Sequence, residues 1–112
     1  MEPSIYIMGG KKFDGSRTDK IEVFNPQTMK TKILKSRMPT PRSGFAAIAI
    51  GPRIIILGGN NGQVMADVDI YDTVTEQWEK MASLRKGRDE LAVCLGPDNK
   101  IYAVGGYGGK DK

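Results

Sequence analysis

Apolar residues along this chain come in short runs of four to seven positions, each stopped by Gly, Pro, Asn or Asp. Runs of that length, rich in Ile, Val, Tyr and Phe and without a sustained helical period, predict β-strands. Residues 5–8, 54–57 and 101–104 each lead into a glycine doublet, whereas residues 21–24 and 68–71 stop at Asn25 and Asp72. In Ile21-Glu22-Val23-Phe24 and Val68-Asp69-Ile70-Tyr71 the alternation puts two aliphatic residues on one face and an acid and an aromatic on the other. Such strands carry apolar surface on both faces, so one face is expected to meet one neighbour and the aromatic to meet the next. The apolar stretch 45–57 is broken by Gly51, Pro52 and Arg53, and reads as two strands and a turn rather than a membrane span. Further strands are expected near residues 31–35 and 77–80.

The strands recur in a fixed order. Ile5-Tyr6-Ile7-Met8-Gly9-Gly10 returns as Ile54-Ile55-Ile56-Leu57-Gly58-Gly59 after 49 residues, and as Ile101-Tyr102-Ala103-Val104-Gly105-Gly106 after a further 47. The pair Ile21-Glu22-Val23-Phe24-Asn25 and Val68-Asp69-Ile70-Tyr71-Asp72 is also 47 residues apart. A third marker, Met38-Pro39-Thr40-Pro41-Arg42 against Leu84-Arg85-Lys86-Gly87-Arg88, precedes runs rich in alanine and β-branched residues. Four short antiparallel strands per repeat match a propeller blade, so the expected fold class is all-β. Glycine lacks a Cβ and tolerates φ > 0, which lets the chain leave a strand sharply or another backbone come close. Trp78, seven residues after Tyr71, is expected to bury its ring between blades, because one repeat cannot cover its own apolar face.

These residues resemble the kelch repeat, in which a strand ending in a glycine doublet is followed by an aromatic and then a tryptophan. The second repeat has all three in Gly58-Gly59, Tyr71 and Trp78. In the first, Gly9-Gly10 is present and Phe24 replaces the tyrosine, but Thr31 occupies the tryptophan position; the third has Gly105-Gly106 and Tyr107. The resemblance implies a partial kelch propeller over residues 1–112, with repeat 1 at about 4–43, repeat 2 at about 44–90 and an incomplete repeat 3 at about 91–112. About two blades and the start of a third do not close a ring, so the segment is expected to belong to a larger propeller, completed by other blades of a parent chain or by further copies of itself. Strand edges are then expected to lie open at both ends.

Charge adds a direction to this picture. The net charge of +4 is uneven, with nine Lys/Arg against four Asp/Glu in residues 1–52 and eight against nine in residues 53–112. The basic residues form no run and no aromatic platform accompanies them, which disfavours nucleic acid and leaves an acidic protein partner open. There is no histidine, the usual general base and zinc or copper ligand, and the single cysteine, Cys94, excludes an internal disulfide. No enzyme activity, cofactor or metal is expected, nor any membrane association. Without a leader pattern, an intracellular, cytoplasmic setting is expected.

The resemblance also implies where a partner binds: loops joining second strand to third, and fourth strand to the next first strand, on one face of the ring. Here these are residues 11–19, 60–66 and 107–110, and residues 36–43 and 82–90. Candidate partner-binding residues are Lys11, Lys12, Arg17, Asn60, Asn61 and Tyr107 in the first class, and Arg42, Ser43 and Arg88 in the second. Pro41-Arg42-Ser43-Gly44 resembles the Arg-Ser-Gly start of a blade beside a peptide pocket in the BTB-kelch adaptors of cullin-type ubiquitin ligases. An arginine there grips a carboxylate, or alternatively holds turn carbonyls. Arg88 occupies the equivalent place, with Asp89 and Glu90 replacing Ser43 and Gly44. Residues 105–110 fail the phosphate-loop pattern, because Asp111 stands where Ser or Thr is needed. Asp67, Asp69 and Asp72 read as surface charges and a strand-end turn. Three functions stay open: a protein-interaction module, an actin- or cytoskeleton-binding element, and a non-catalytic segment of a kelch-type sugar-processing enzyme.

Overall fold

The computed structural model describes residues 4–108 and contains only strands, turns and loops among them. The chain divides into two compact units, Met1–Ser43 and Gly44–Lys112. In the first unit β1 (Ile5–Met8), β2 (Ile21–Asn25) and β3 (Lys30–Ile33) form an antiparallel sheet in sequential order. The β2–β3 turn is built by one side chain: Asn25 Oδ1 accepts the N–H groups of Gln27 and Thr28. The Asn25 carbonyl then accepts the Met29 N–H at 2.8 Å, with Met29 at φ 60°. This turn pairs Asn25 with Lys30, so β3 starts one residue earlier and stops two residues sooner than the expected 31–35. Ile21 and Met38 are buried, while Ile5, Ile7 and Ile33, which share the other face, are about half exposed.

In the second unit β4 (Ala46–Ile50), β5 (Arg53–Leu57), β6 (Val68–Asp72) and β7 (Gln77–Lys80) form a four-stranded antiparallel sheet in sequential order. The β6–β7 turn repeats the first unit's device: Asp72 Oδ1 accepts Val74 and Thr75 N–H, and Glu76 takes φ 58°. The N–H groups of Thr75 and Val74 hold the Asp72 carboxyl below its ordinary value. A hairpin of β8 (Ala92–Leu95) and β9 (Ile101–Val104) follows.

Register decides the core. Ile55 lies opposite Ile70 and Leu57 opposite Val68, and these four side chains form a buried cluster. Leu91, Val93, Ile101 and Ala103, from β8–β9 and its approach, pack on that cluster. The apolar face of one four-stranded sheet is thus covered by the first two strands of the following repeat, as expected for stacked blades. On the opposite face Ile56 and Tyr71 are fully buried. Trp78 is only half buried; it lies opposite Tyr71 in the same sheet, with ring centroids 5.0 Å apart and planes tilted by 46°. Asp69 corrects the expectation of a surface charge: it is buried beside Tyr71, with Lys80 Nζ 3.7 Å from its carboxylate. The same ammonium lies 2.7 Å from Asp67.

The glycine doublets tie strands to loops. Gly9 and Gly10 sit at φ 61° and 103°, Gly58 and Gly59 at 67° and 103°, Gly105 and Gly106 at 73° and 90°. In the first unit Gly9 N–H donates to Lys20 and Gly10 N–H to the Arg42 carbonyl, at 3.1 and 2.9 Å. In the second, Gly58 donates to Asp67 and Gly59 to the Arg88 carbonyl, at 2.9 and 2.7 Å. The first two doublets therefore each pin the loop that carries the arginine to the end of a strand.

Candidate functional site

In the first unit Lys11 and Arg17 pair as a β-bridge and close a tight loop at the end of β1. Lys12 N–H donates to the Ser16 carbonyl at 2.7 Å, and Gly15 N–H, at φ 88°, donates to the Lys12 carbonyl at 3.0 Å. Asp14 Oδ1 accepts both the hydroxyl of Ser16 at 2.6 Å and its N–H at 2.9 Å. The hydroxyl contact, then the N–H, holds the Asp14 carboxyl below its ordinary value. A depressed folded-state value means that this contribution is present above the ordinary carboxylate range and fades as the pH falls through the lowered value. Ser16→Ala is expected to return the Asp14 pKa toward the ordinary 3.8 in an NMR titration. An unmoved value would show that the hydroxyl does not hold this turn.

The two classes of loop meet in each unit. Arg17 Nε donates to Ser43 Oγ at 3.0 Å, which brings together two residues 26 positions apart. Arg42 itself is fully buried, so the structure draws it inward instead of presenting it as an exposed grip. Its carbonyl is the acceptor fixed by Gly10. In the second unit Asn60 Nδ2 donates to Asp89 Oδ2 at 3.1 Å, the counterpart of the Arg17–Ser43 contact with different chemistry. Asn60 and Asn61 also shape their own turn, accepting the N–H groups of Gly62 and Gln63. Asp89 and Tyr107 exchange two backbone hydrogen bonds at 2.8 and 2.7 Å. Arg88 Nη1 donates to the Gly105 carbonyl at 2.9 Å, which is the turn-holding alternative for this arginine.

Lys86, Arg88, Gly105, Gly106 and Tyr107 line a cleft of about 320 Å³ in the second unit, with Tyr107 about half exposed at its edge. Glu90, at φ 56°, takes the left-handed conformation that Gly44 takes at φ 67° one repeat earlier. Residues 109 and 110 of the expected third loop lie outside the described residues. Lys11 and Lys12 are exposed, and Arg17 is half buried by its bond to Ser43. Between them stands a residue that the motif reading does not single out: Phe13, with a relative exposure of 113%. A signal for it exists in the spacing, because Ile21 follows Gly10 by 11 residues whereas Val68 follows Gly59 by nine.

A four-stranded sheet in sequential order, a positive-φ glycine doublet closing its second strand, and an apolar face covered by the next repeat define a blade of a β-propeller. The profile of the KLHDC2/KLHL20/DRC7 Kelch-repeats domain matches residues 1–112, and the chain belongs to the kelch-repeat family. It is 36% identical over 111 residues to Kelch-like protein 25 of Homo sapiens, covering 93% of this chain and 17% of that protein. It is 36% identical over 110 residues to Alpha-scruin of Limulus polyphemus, covering 91% of this chain and 12% of that protein. Kelch-like protein 41a of Danio rerio is 32% identical over 104 residues, covering 92% of this chain and 17% of that protein. The chain therefore spans less than a fifth of the length of these relatives.

Proposed function

We propose that this chain is a protein-interaction module that binds a partner through the loops between second and third strands and between fourth strand and next first strand. The observation that carries this reading is the joining of those loops in each unit, by Arg17–Ser43 and by Asn60–Asp89. Loops held to a strand scaffold by glycine-anchored hydrogen bonds lose little freedom on binding, which favours affinity. The partner class is an acidic protein surface or peptide, because Lys11, Lys12 and Arg17 outnumber Asp14 and Asp19 in the first loop and Asp19 is already paired with Arg37 at 2.7 Å. Repeat boundaries near residues 43/44 and 90/91 belong to the same proposal. So does a neighbouring blade, of the parent chain or of a second copy, over the apolar face of Ile5, Ile7 and Ile33.

Recruitment of a substrate to a cullin-type ubiquitin ligase is the specific role attached to that module, and it requires a BTB domain elsewhere in the parent protein. An acidic cytoskeletal filament such as actin is a second partner class, favoured by the same basic loop. The test is the charge reversal Lys11→Glu with Lys12→Glu in the parent protein, with purified filaments and affinity-purified partners compared by quantitative binding. Binding is expected to fall by at least about tenfold and to weaken with added salt. Unchanged affinity for every partner would remove this face from the binding surface.

A further inference from the structure

Among the described residues no other large hydrophobic side chain is as exposed as Phe13. At 113% of the reference value its side chain is fully exposed. A single exposed apolar residue is ordinary on a protein surface and by itself means little. Three observations separate this one. The loop that displays it is fixed, by the Lys11–Arg17 bridge, by Lys12 to Ser16, and by the two bonds that Asp14 accepts from Ser16. Its loop is two residues longer than its counterpart, since the spacing from doublet to strand is 11 here and nine in the second repeat. That counterpart, Asn60-Asn61-Gly62-Gln63-Val64, carries neither an aromatic nor a charge.

Resting on the interaction-module reading above, we propose that Phe13 is the anchor of partner recognition, and that its partner offers an apolar side chain flanked by Asp or Glu. The aromatic ring supplies contact area from a turn that is already ordered, so little conformational freedom is lost when it is covered. Lys11 and Lys12, exposed on the same turn, reach carboxylates on either side of the contact, whereas Arg17 is held back by Ser43. The same cations also suit an anionic lipid surface. A protein fits better, because Asp14 adjoins Phe13 at the tip and would face the headgroups, and one aromatic side chain gives too little area for stable anchoring.

The experiment selects peptides from a phage-displayed library of random dodecapeptides on the intact parent protein, in wild-type form, as Phe13→Ser, and as Lys11→Glu with Lys12→Glu. The wild type is expected to enrich peptides with an apolar residue next to Asp or Glu. Phe13→Ser is expected to weaken those peptides by at least about tenfold while purely acidic ones persist. The charge reversal is expected to abolish the acidic preference. Absence of the apolar-acidic pattern, or its survival in Phe13→Ser, overturns the proposal; if the charge reversal still removes binding in that case, the broader loop reading stands. Survival in both variants overturns both. Phe13-dependent binding to phosphatidylserine vesicles would assign the ring to a membrane instead and also overturn it. Thermal unfolding of Phe13→Ser is expected to match the wild type, and a fall would show that the ring packs within the fold and overturn the anchor role.

Discussion

Gly58→Ala is expected to destabilise the second unit by about 2–4 kcal/mol. The residue sits at φ 67°, where an L side chain costs about 1–2 kcal/mol. A Cβ there would also run into the Arg88 carbonyl oxygen, with Leu91 Cδ2 3.3 Å away. That oxygen has little room to retreat, because it accepts the Gly59 N–H at 2.7 Å. Overpacking of this kind costs about 1–3 kcal/mol. The displaced segment is the loop that lines the cleft, so the partner binding proposed for Arg88 and Tyr107 should weaken together with stability. Gly62→Ala is the comparison: its φ is 116°, but no atom lies within 4 Å of an added Cβ, so only backbone strain is added. Denaturant midpoints of the two variants separate the clash from the strain. A Gly58→Ala protein that melts like the wild type would refute the close approach.

Leu57→Ala is expected to cost about 2–5 kcal/mol, the range for emptying a packed leucine site. Leu57 is 4% exposed and belongs to the cluster with Ile55, Val68 and Ile70 that supports the β8–β9 hairpin. An isolated two-stranded hairpin is at best marginally stable in water, so β8 and β9 depend on that face. Amide hydrogen exchange in residues 92–104 should therefore accelerate before exchange in β5 and β6. Equal acceleration across the four-stranded sheet would mean that the hairpin and the sheet open as one unit.

The repeat was legible because its causes are local. Alternation over residues 68–71, the stop at Asp72 and the doublet at Gly58-Gly59 each reflect the sterics of a few neighbouring residues, and the observed strands fall on them. The β2–β3 boundary moved by a residue because Asn25 caps the turn with its own side chain, a detail that strand composition does not encode. At Glu90 the sequence conceals a shared conformation: a glutamate holds the φ that Gly44 holds, although nothing in its residue type asks for it.

The candidate site was legible as a set of loops, not as a set of roles. Arg42 and Arg88 occupy equivalent places after equivalent markers, yet one is buried and the other bonds the Gly105 carbonyl. Asp69 alternates with apolar neighbours as a surface acid would, yet it is buried with Lys80 at its carboxylate. Phe13 reads as one more apolar residue in a polar loop until the hydrogen bonds around it show that the turn holds it outward. The sequence alone therefore determined the strands, their order, the repeat and the positions of the loops, all of which depend on residues close in the chain. Only the tertiary structure decided which side chains turn inward, which hold a turn and which stand free, because those outcomes depend on groups such as Ser43 and Gly105, 26 and 17 residues from the arginines that bond them.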